Sequence, residues 1–272
     1  MSASDKPDGR LLPEGEKTLA TDPTRQIMER AQLETRVGWS AAHKALLARE
    51  KEYTRLGDEI AQQRRELPWV QVEKEYRFDT DEGTKTLVEL FDGRTQLAVY
   101  HFMFGPSYLA GDPPNSSIAD AVNGILPHLH ARDVTVLFVS QAPVEKLQAY
   151  KQRMGWSFPW VSAANTEFNI DLGFSERTLD WLTPEVRAVL PPIVARNARE
   201  AGTEVVHYLT ESPGFSAFAV DDGAVYLTYT TTARGVEFLM SYYAVLDRMP
   251  NGRDEGDDWQ IWLRRHDEYE GV

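Results

Sequence analysis

The chain of 272 residues carries 29 basic and 42 acidic side chains for a formal net charge of -13, with 42% hydrophobic residues, 11% aromatic residues and no cysteine. The acidic balance repels phosphate backbones and anionic lipid, which argues against nucleic acid and membranes as partners. The missing cysteines exclude disulfides, thiolate metal sites, iron–sulfur clusters and cysteine nucleophiles.

Residues 1–22 hold Pro7, Gly9, Pro13 and Gly15 among charged and small residues, a pattern that predicts a mobile arm. Asp22 as cap and Pro23 at the first helical position predict a short helix over 23–34, so 1–36 is read as an arm and 37–272 as one domain. The first residues lack the apolar core of a signal peptide, and no stretch approaches the ~20 apolar residues of a membrane span. The expected compartment is therefore the cytoplasm.

The apolar set Trp39, His43, Leu46, Leu47, Tyr53, Leu56 and Ile60 recurs every three or four residues and predicts a long amphipathic helix over 39–66, ended by Pro68. A strand is expected over 72–78, with a turn at 81–83. The runs 97–104 and 134–140 are near-continuous apolar and β-rich, as strands covered on both faces of a parallel sheet read. Between them a helix over 116–130 supplies the crossover that a parallel pair requires. A helix over 144–153 follows. Residues 174–200 read as helical, interrupted by Pro184 and by Pro191 and Pro192. The segments 215–220 and 225–230 flank Asp222 and Gly223, a pair favoured in two-residue hairpin turns. Helices over 235–246 and 259–269 close the chain. The sum is an α/β protein with a mixed sheet flanked by helices.

Several stretches identify a family. A-L-L-A-R-E-K-E-Y-T-R (45–55), R-R-E-L-P-W-V (64–70), Y-H-F-M-F-G-P (100–106), R-M-G-W-S-F-P-W-V-S (153–162) and F-N-I-D (168–171) resemble the thioredoxin-like family DUF899. The C-terminal A-R-G (233–235), P-N-G-R-D-E (250–255) and W-L-R-R-H-D-E-Y (262–269) are similar to it too. The resemblance implies a thioredoxin-like fold, with a long N-terminal helix and a helical insertion around 174–206 that departs from the family pattern. Many members are expected to be dithiol–disulfide oxidoreductases with C-x-x-C after Y-H-F-M-F-G-P. Here that segment reads G-D-P-P-N-S-S, and Asp112 and Asn115 stand where the cysteines would. Neither side chain can attack a disulfide, so the activity does not carry over.

The setting that remains is a helix N-terminus, which favours an anion. Asp112, Asn115 and Ser116 are read first as helix caps and second as cleft residues. Capping alone would make Asp112→Asn nearly neutral. The resemblance places a cis-proline opposite the active-site loop, and Pro213 is the candidate. His101 is expected on the face of Val99 and Met103, near the loop carrying Asp112. It reads either as a buried neutral imidazole or as an acid/base or metal ligand. His128 and His130 do not share a helix face, and the acidic residues 254–258 lack the spacing of a calcium loop, so no metal site is assigned. Trp156, Phe158 and Trp160 form either core or pocket wall.

Three functions follow as expectations. The first is a non-redox protein binding a small molecule or a protein segment in a cleft at the former dithiol site, lined by Tyr108, Asn115, Ser116, Trp156, Trp160 and Pro213. The second is an enzyme of another class, with His101 and Asp112 in acid–base or metal-assisted chemistry. The third is a structural or assembly role. The sequence names no cofactor and sets no oligomeric state.

Overall fold

The computed structural model describes residues 34–256 and 259–271. The helix expected over 23–34 and nearly all of the arm over 1–36 lie outside the described residues. The chain divides into two units, Met1–Arg49 and Glu50–Val272.

Helix α1 (Arg36–Arg65) is rich in Ala, Leu, Glu, Lys, Arg and Gln, the strongest helix formers. It stops short of Pro68, which disfavours helical backbone at Leu67. No residue of α1 is buried, so Tyr53, Leu56 and Ile60, expected on a packed face, stand exposed.

Eight described strands form one sheet. β1 (Val70–Gln71), β2 (Arg77–Thr80), β3 (Gly83–Thr86), β4 (Gln96–His101), β5 (Val134–Ser140), β6 (Trp160–Ser162), β7 (Gly214–Asp221) and β8 (Ala224–Thr232) lie in the order β1-β8-β7-β4-β5-β6-β2-β3. β4 pairs parallel with β5 and antiparallel with β7, which pairs antiparallel with β8. A parallel βαβ unit whose first strand carries an antiparallel hairpin on its other side is the thioredoxin arrangement. The strands 97–104, 134–140 and 215–220 read from sequence are thus neighbours in one sheet.

The β4-to-β5 crossover is not one helix but two, α2 (Pro113–Asn123) and α3 (Leu126–His130). Gly124 is a poor helix former, and Pro127 lacks the N–H that a continuous helix would use. α4 (Val144–Met154) then leads into β6. Because the strand order runs on from β4 through β5 to β6, right-handed crossovers place α2 and α4 on the same face of the sheet. On that face Tyr100, Phe102, Phe138, Trp156, Phe158 and Trp160 pack against Ile118, Val122, Leu147 and Met154. On the other face Leu97, Val99, Leu137, Val139 and Phe218 pack against Phe78, Phe91 and Phe168.

The remaining elements depart from the reading in instructive ways. Of the strand expected over 72–78 only 77–78 is strand, the start of β2; β1 lies just before the expected segment, and in the charged stretch between them Lys74 pairs with Glu167 and Asp171, at 2.6 Å each. Residues 174–182 are not helical. Pro184 and Pro192 do not interrupt a helix but open α6 (Pro184–Ala188) and α7 (Pro192–Glu200) at the first helical position, where a missing N–H costs nothing. α5 (Phe168–Asp171) precedes them and α8 (Val205–Tyr208) follows. Asp222 and Gly223 both take positive φ, 45° and 78°, as the expected two-residue hairpin turn requires. Beyond β8 the helix expected over 235–246 shrinks to a 3-10 stretch, Ala233–Leu239, and α9 (Ser241–Leu246). The helix expected over 259–269 is replaced by turns and a 3-10 turn at His266–Glu268. There Gln260 has φ 59°, and the Arg196 guanidinium donates to the carbonyls of Gln260 and Leu263 that a helix would have used.

Gly214 opposes His101 across the β4–β7 pair, and a Cβ there would overlap the Phe174 ring, itself stacked on the His101 imidazole at 3.8 Å. Gly214→Ala is expected to cost roughly 1–3 kcal/mol through overpacking, measured by urea unfolding, and part of that loss should return when Phe174→Leu is added. A Gly214→Ala variant as stable as the parent would show that this contact is soft.

Candidate functional site

The segment where the resemblance to DUF899 places a dithiol in other members is the start of α2. Asp112 is its N-cap in extended geometry (φ -69°, ψ 159°), and Pro113 and Pro114 fill the next two positions, which need no N–H partner. One oxygen of Asp112 accepts both the backbone N–H of Asn115, at 2.9 Å, and its side-chain amide, at 2.7 Å. Its other oxygen accepts the hydroxyl of Tyr208. Ser116 donates to the Asp112 carbonyl at 2.7 Å and meets the Tyr150 hydroxyl at 3.0 Å. Tyr100 donates to the Asn115 carbonyl oxygen at 2.8 Å, and Tyr108 donates to the Tyr208 carbonyl at 2.9 Å. Arg265 donates to the Gly111 carbonyl at 2.8 Å and to that of Glu200 at 2.5 Å.

This cluster is sealed. Asp112 is 1% exposed, Asn115 2%, and Ser116 and Tyr108 0%. Burial raises the Asp112 carboxyl above its ordinary range, against the hydrogen bonds from Tyr208 and Asn115 and the nearby Arg265 charge. Burial also pushes the Tyr108 and Tyr208 hydroxyls up, so both stay protonated as donors. Trp156 and Trp160 belong to the core, their indole N–H groups donating to Asp120 at 2.7 Å and to Ser140 at 3.0 Å. Pro213 is trans, since no cis peptide occurs among the described residues, so the expected cis geometry is absent. Its carbonyl accepts the Thr232 hydroxyl at 2.7 Å. The six residues expected to line a cleft therefore form no common wall: five are buried among their own partners.

His101 does not meet Asp112. Side chains alternate along a strand, and Tyr100 points to the Asp112 side while His101 points to the other. It shares the face of Val99 as expected, whereas Met103, past the end of β4, packs in the opposite cluster. Its ring nitrogens contact Asn169 Oδ1 at 3.0 Å and Ser216 Oγ at 2.9 Å. Burial pulls its pKa down to about 3, so the imidazole is neutral and satisfied by side chains rather than by backbone. Among the described residues no group of three or more His, Asp or Glu side chains could hold a metal ion, and no helix is long and apolar enough to cross a membrane.

Two polar residues escaped the sequence reading. Tyr208 is bound to Asp112 from 96 residues away, a pairing that no local pattern records. Glu211, 7% exposed, accepts the Ser175 hydroxyl at 3.0 Å, and burial pushes its carboxyl up to about 8.

Among the openings to solvent is a groove of about 860 Å³ on the α2 side of the sheet, the most apolar in its lining. Its floor is Ala98, Ala217 and Ala219, and its walls include Phe215, Tyr229 and Trp69, with Arg64 and Arg65 at the rim. Beyond β8 come a 3-10 stretch and the six residues of α9, and neither element supplies a lining residue of the groove.

The family described as "Bacterial protein of unknown function (DUF899)" matches residues 28–269, nearly the whole chain. The chain belongs to DUF899. Among curated proteins none matches the sequence. Solved structures similar to this DUF899 chain include a cysteine-to-serine mutant of Xylella fastidiosa PrxQ, at 12% identity over 62% of this chain and 88% of that one, with a TM-score of 0.41. Peroxiredoxin Q of Xanthomonas campestris is similar at 12% identity over 64% and 91%, TM-score 0.41. Peroxidoxin BcpB of Mycobacterium tuberculosis is similar at 9% identity over 64% and 94%, TM-score 0.43. The fold assignment stands on the strand order, and this DUF899 member is a thioredoxin-like protein without cysteine.

Proposed function

We propose that this DUF899 member is a non-redox binding protein that takes a small apolar molecule in the groove on the open face of its sheet. One observation carries the reading. The former dithiol position is sealed by its own side chains, while a groove of about 860 Å³, within the volume range of small-molecule sites, lies open over three alanines and several aromatic rings. The location thus differs from the cleft expected at Asp112. An enzyme built on His101 and Asp112 finds no support, because the two residues face opposite sides of β4 and both are buried.

The test is saturable binding of a neutral apolar fluorophore, N-phenyl-1-naphthylamine. Ala217→Phe fills the floor and is expected to weaken that binding by at least about tenfold, the loss of a little over 1 kcal/mol of apolar contact. Unchanged binding in a folded Ala217→Phe variant would remove the groove from consideration.

A further inference from the structure

We infer that the groove is shaped for a free anionic amphiphile, a long-chain carboxylate whose head sits at Arg64 and Arg65 and whose body crosses the alanine floor; this rests on the groove being the binding site proposed above. The register gives the groove a direction. Tyr229, Ala217 and Ala98 are direct partners on three successive strands, β8, β7 and β4, and form one row across the sheet. Strands lie about 4.8 Å apart, so the row spans ~10 Å from an aromatic residue to two residues with almost no side chain.

The cationic end is fixed at the Tyr229 side of that row. The Arg64 guanidinium stands over the Tyr229 ring, 5.5 Å from its centroid, and Arg65 lines the same groove. Neither arginine has a carboxylate partner among the described residues. Some other arginines of this chain do, Arg153 with Asp267 and Glu268, Arg253 with Asp247 and Glu237, and Arg265 with Glu268, so the rim arginines differ from these in leaving their charge open to a ligand. In a chain of net charge -13, two adjacent guanidinium groups with no carboxylate partner among the described residues, at the mouth of an apolar trough, are complementary to one negative head on an apolar body. The one acid on the rim, Asp221, lies four residues beyond Ala217 along β7, roughly 13 Å at the rise of an extended strand. It leaves the Arg64 end as the place for the head. The same net charge disfavours an anionic bilayer as the source of the ligand, so the occupant is a free molecule.

Arginines in a last turn also complement the carbonyl end of their own helix, and the experiment separates the two roles. Dodecanoate below its micellar concentration and neutral dodecanol are titrated into the full chain, the parent and the Arg64→Gln/Arg65→Gln variant, by isothermal calorimetry, with melting temperatures recorded alongside. The expected result is saturable one-to-one binding of dodecanoate to the parent. The double variant should weaken it at least about tenfold, a factor that loss of one charge-assisted contact can produce, and leave dodecanol binding unchanged. Equal binding of dodecanoate by parent and folded variant would overturn the assignment of the head while leaving the groove intact. Failure of both ligands, together with a null result for the neutral fluorophore, would remove the groove itself. Sedimentation with phosphatidylglycerol vesicles in the absence of dodecanoate binding would overturn the free-molecule assignment in favour of a membrane surface.

Discussion

Asp112→Ala is expected to cost roughly 3 kcal/mol or more, about 10 °C in melting temperature for a chain of this size. A helix cap alone would cost ~1 kcal/mol. The difference arises because the carboxylate satisfies three donors at once, the N–H and side-chain amide of Asn115 and the Tyr208 hydroxyl, in a place where water cannot replace it. Each buried donor left without a partner costs about 1–3 kcal/mol. Asp112→Asn keeps the oxygen that faces Asn115 and offers an amide to the Tyr208 oxygen, which can rotate its proton away. That variant should stay within about 1 kcal/mol of the parent. Urea unfolding of both variants decides the matter, and an Asp112→Ala protein only ~1 kcal/mol less stable would reduce Asp112 to an ordinary cap.

Glu211→Gln is expected to remove one contribution to the parent's stability, a contribution that falls between about pH 4.5 and 8 and is read as the parent-minus-variant difference. Burial raises the Glu211 carboxyl from 4.5 to about 8, with the Ser175 hydroxyl pulling weakly the other way. In that window the folded state holds a proton that the unfolded state has released, so unfolding becomes easier as pH rises. The contribution is fully present below the unfolded value and is lost as pH climbs through the folded one. The size is on the order of 4 kcal/mol across the window. Glutamine is neutral throughout and lacks this contribution, whereas His101 and Asp112 titrate alike in both proteins and cancel in the difference. Carboxyls with lowered values, such as Asp267 beside Arg153, contribute the opposite slope at acid pH in both proteins and cancel in the difference. A parent-minus-variant curve that is flat from pH 5 to 8 would mean that Glu211 is ionised in the fold.

The parts legible in the sequence were those whose partners are close in the chain or whose composition is dictated by burial on both faces. β5 is near-continuous apolar and reads to its observed bounds, and Asp222 with Gly223 announce their turn. Where boundaries slipped, a side chain from elsewhere decided them. Arg196 takes the carbonyls of 260 and 263, and Lys74, between β1 and β2, pairs with Glu167 and Asp171 from about a hundred residues away. The candidate site slipped for the same reason. Asp112 reads as a cap from its neighbours, and it is one, but its burial beneath Tyr208 and the distance between it and His101 depend on how β4 alternates. The groove left no sequence signal, since an alanine over an open trough and an alanine under a helix are the same letter.

The hydrogen-bond partners of His101 show what the central strand demands of the chain during synthesis. Its ring is held from one side by Asn169 and from the other by Ser216, which lies 115 residues downstream. β4 and β5 can meet as soon as their crossover is made, but the second edge of β4 stays unpaired until β7 is translated, several seconds later at ~5–20 residues per second. Closing a loop of that length is entropically costly and the contacts it rewards are non-local, which makes for slow folding. During that interval the nascent chain leaves the backbone N–H and C=O groups of Gln96–His101 on that edge open to any passing strand. For a cell making this protein, the half-built sheet is the aggregation-prone species.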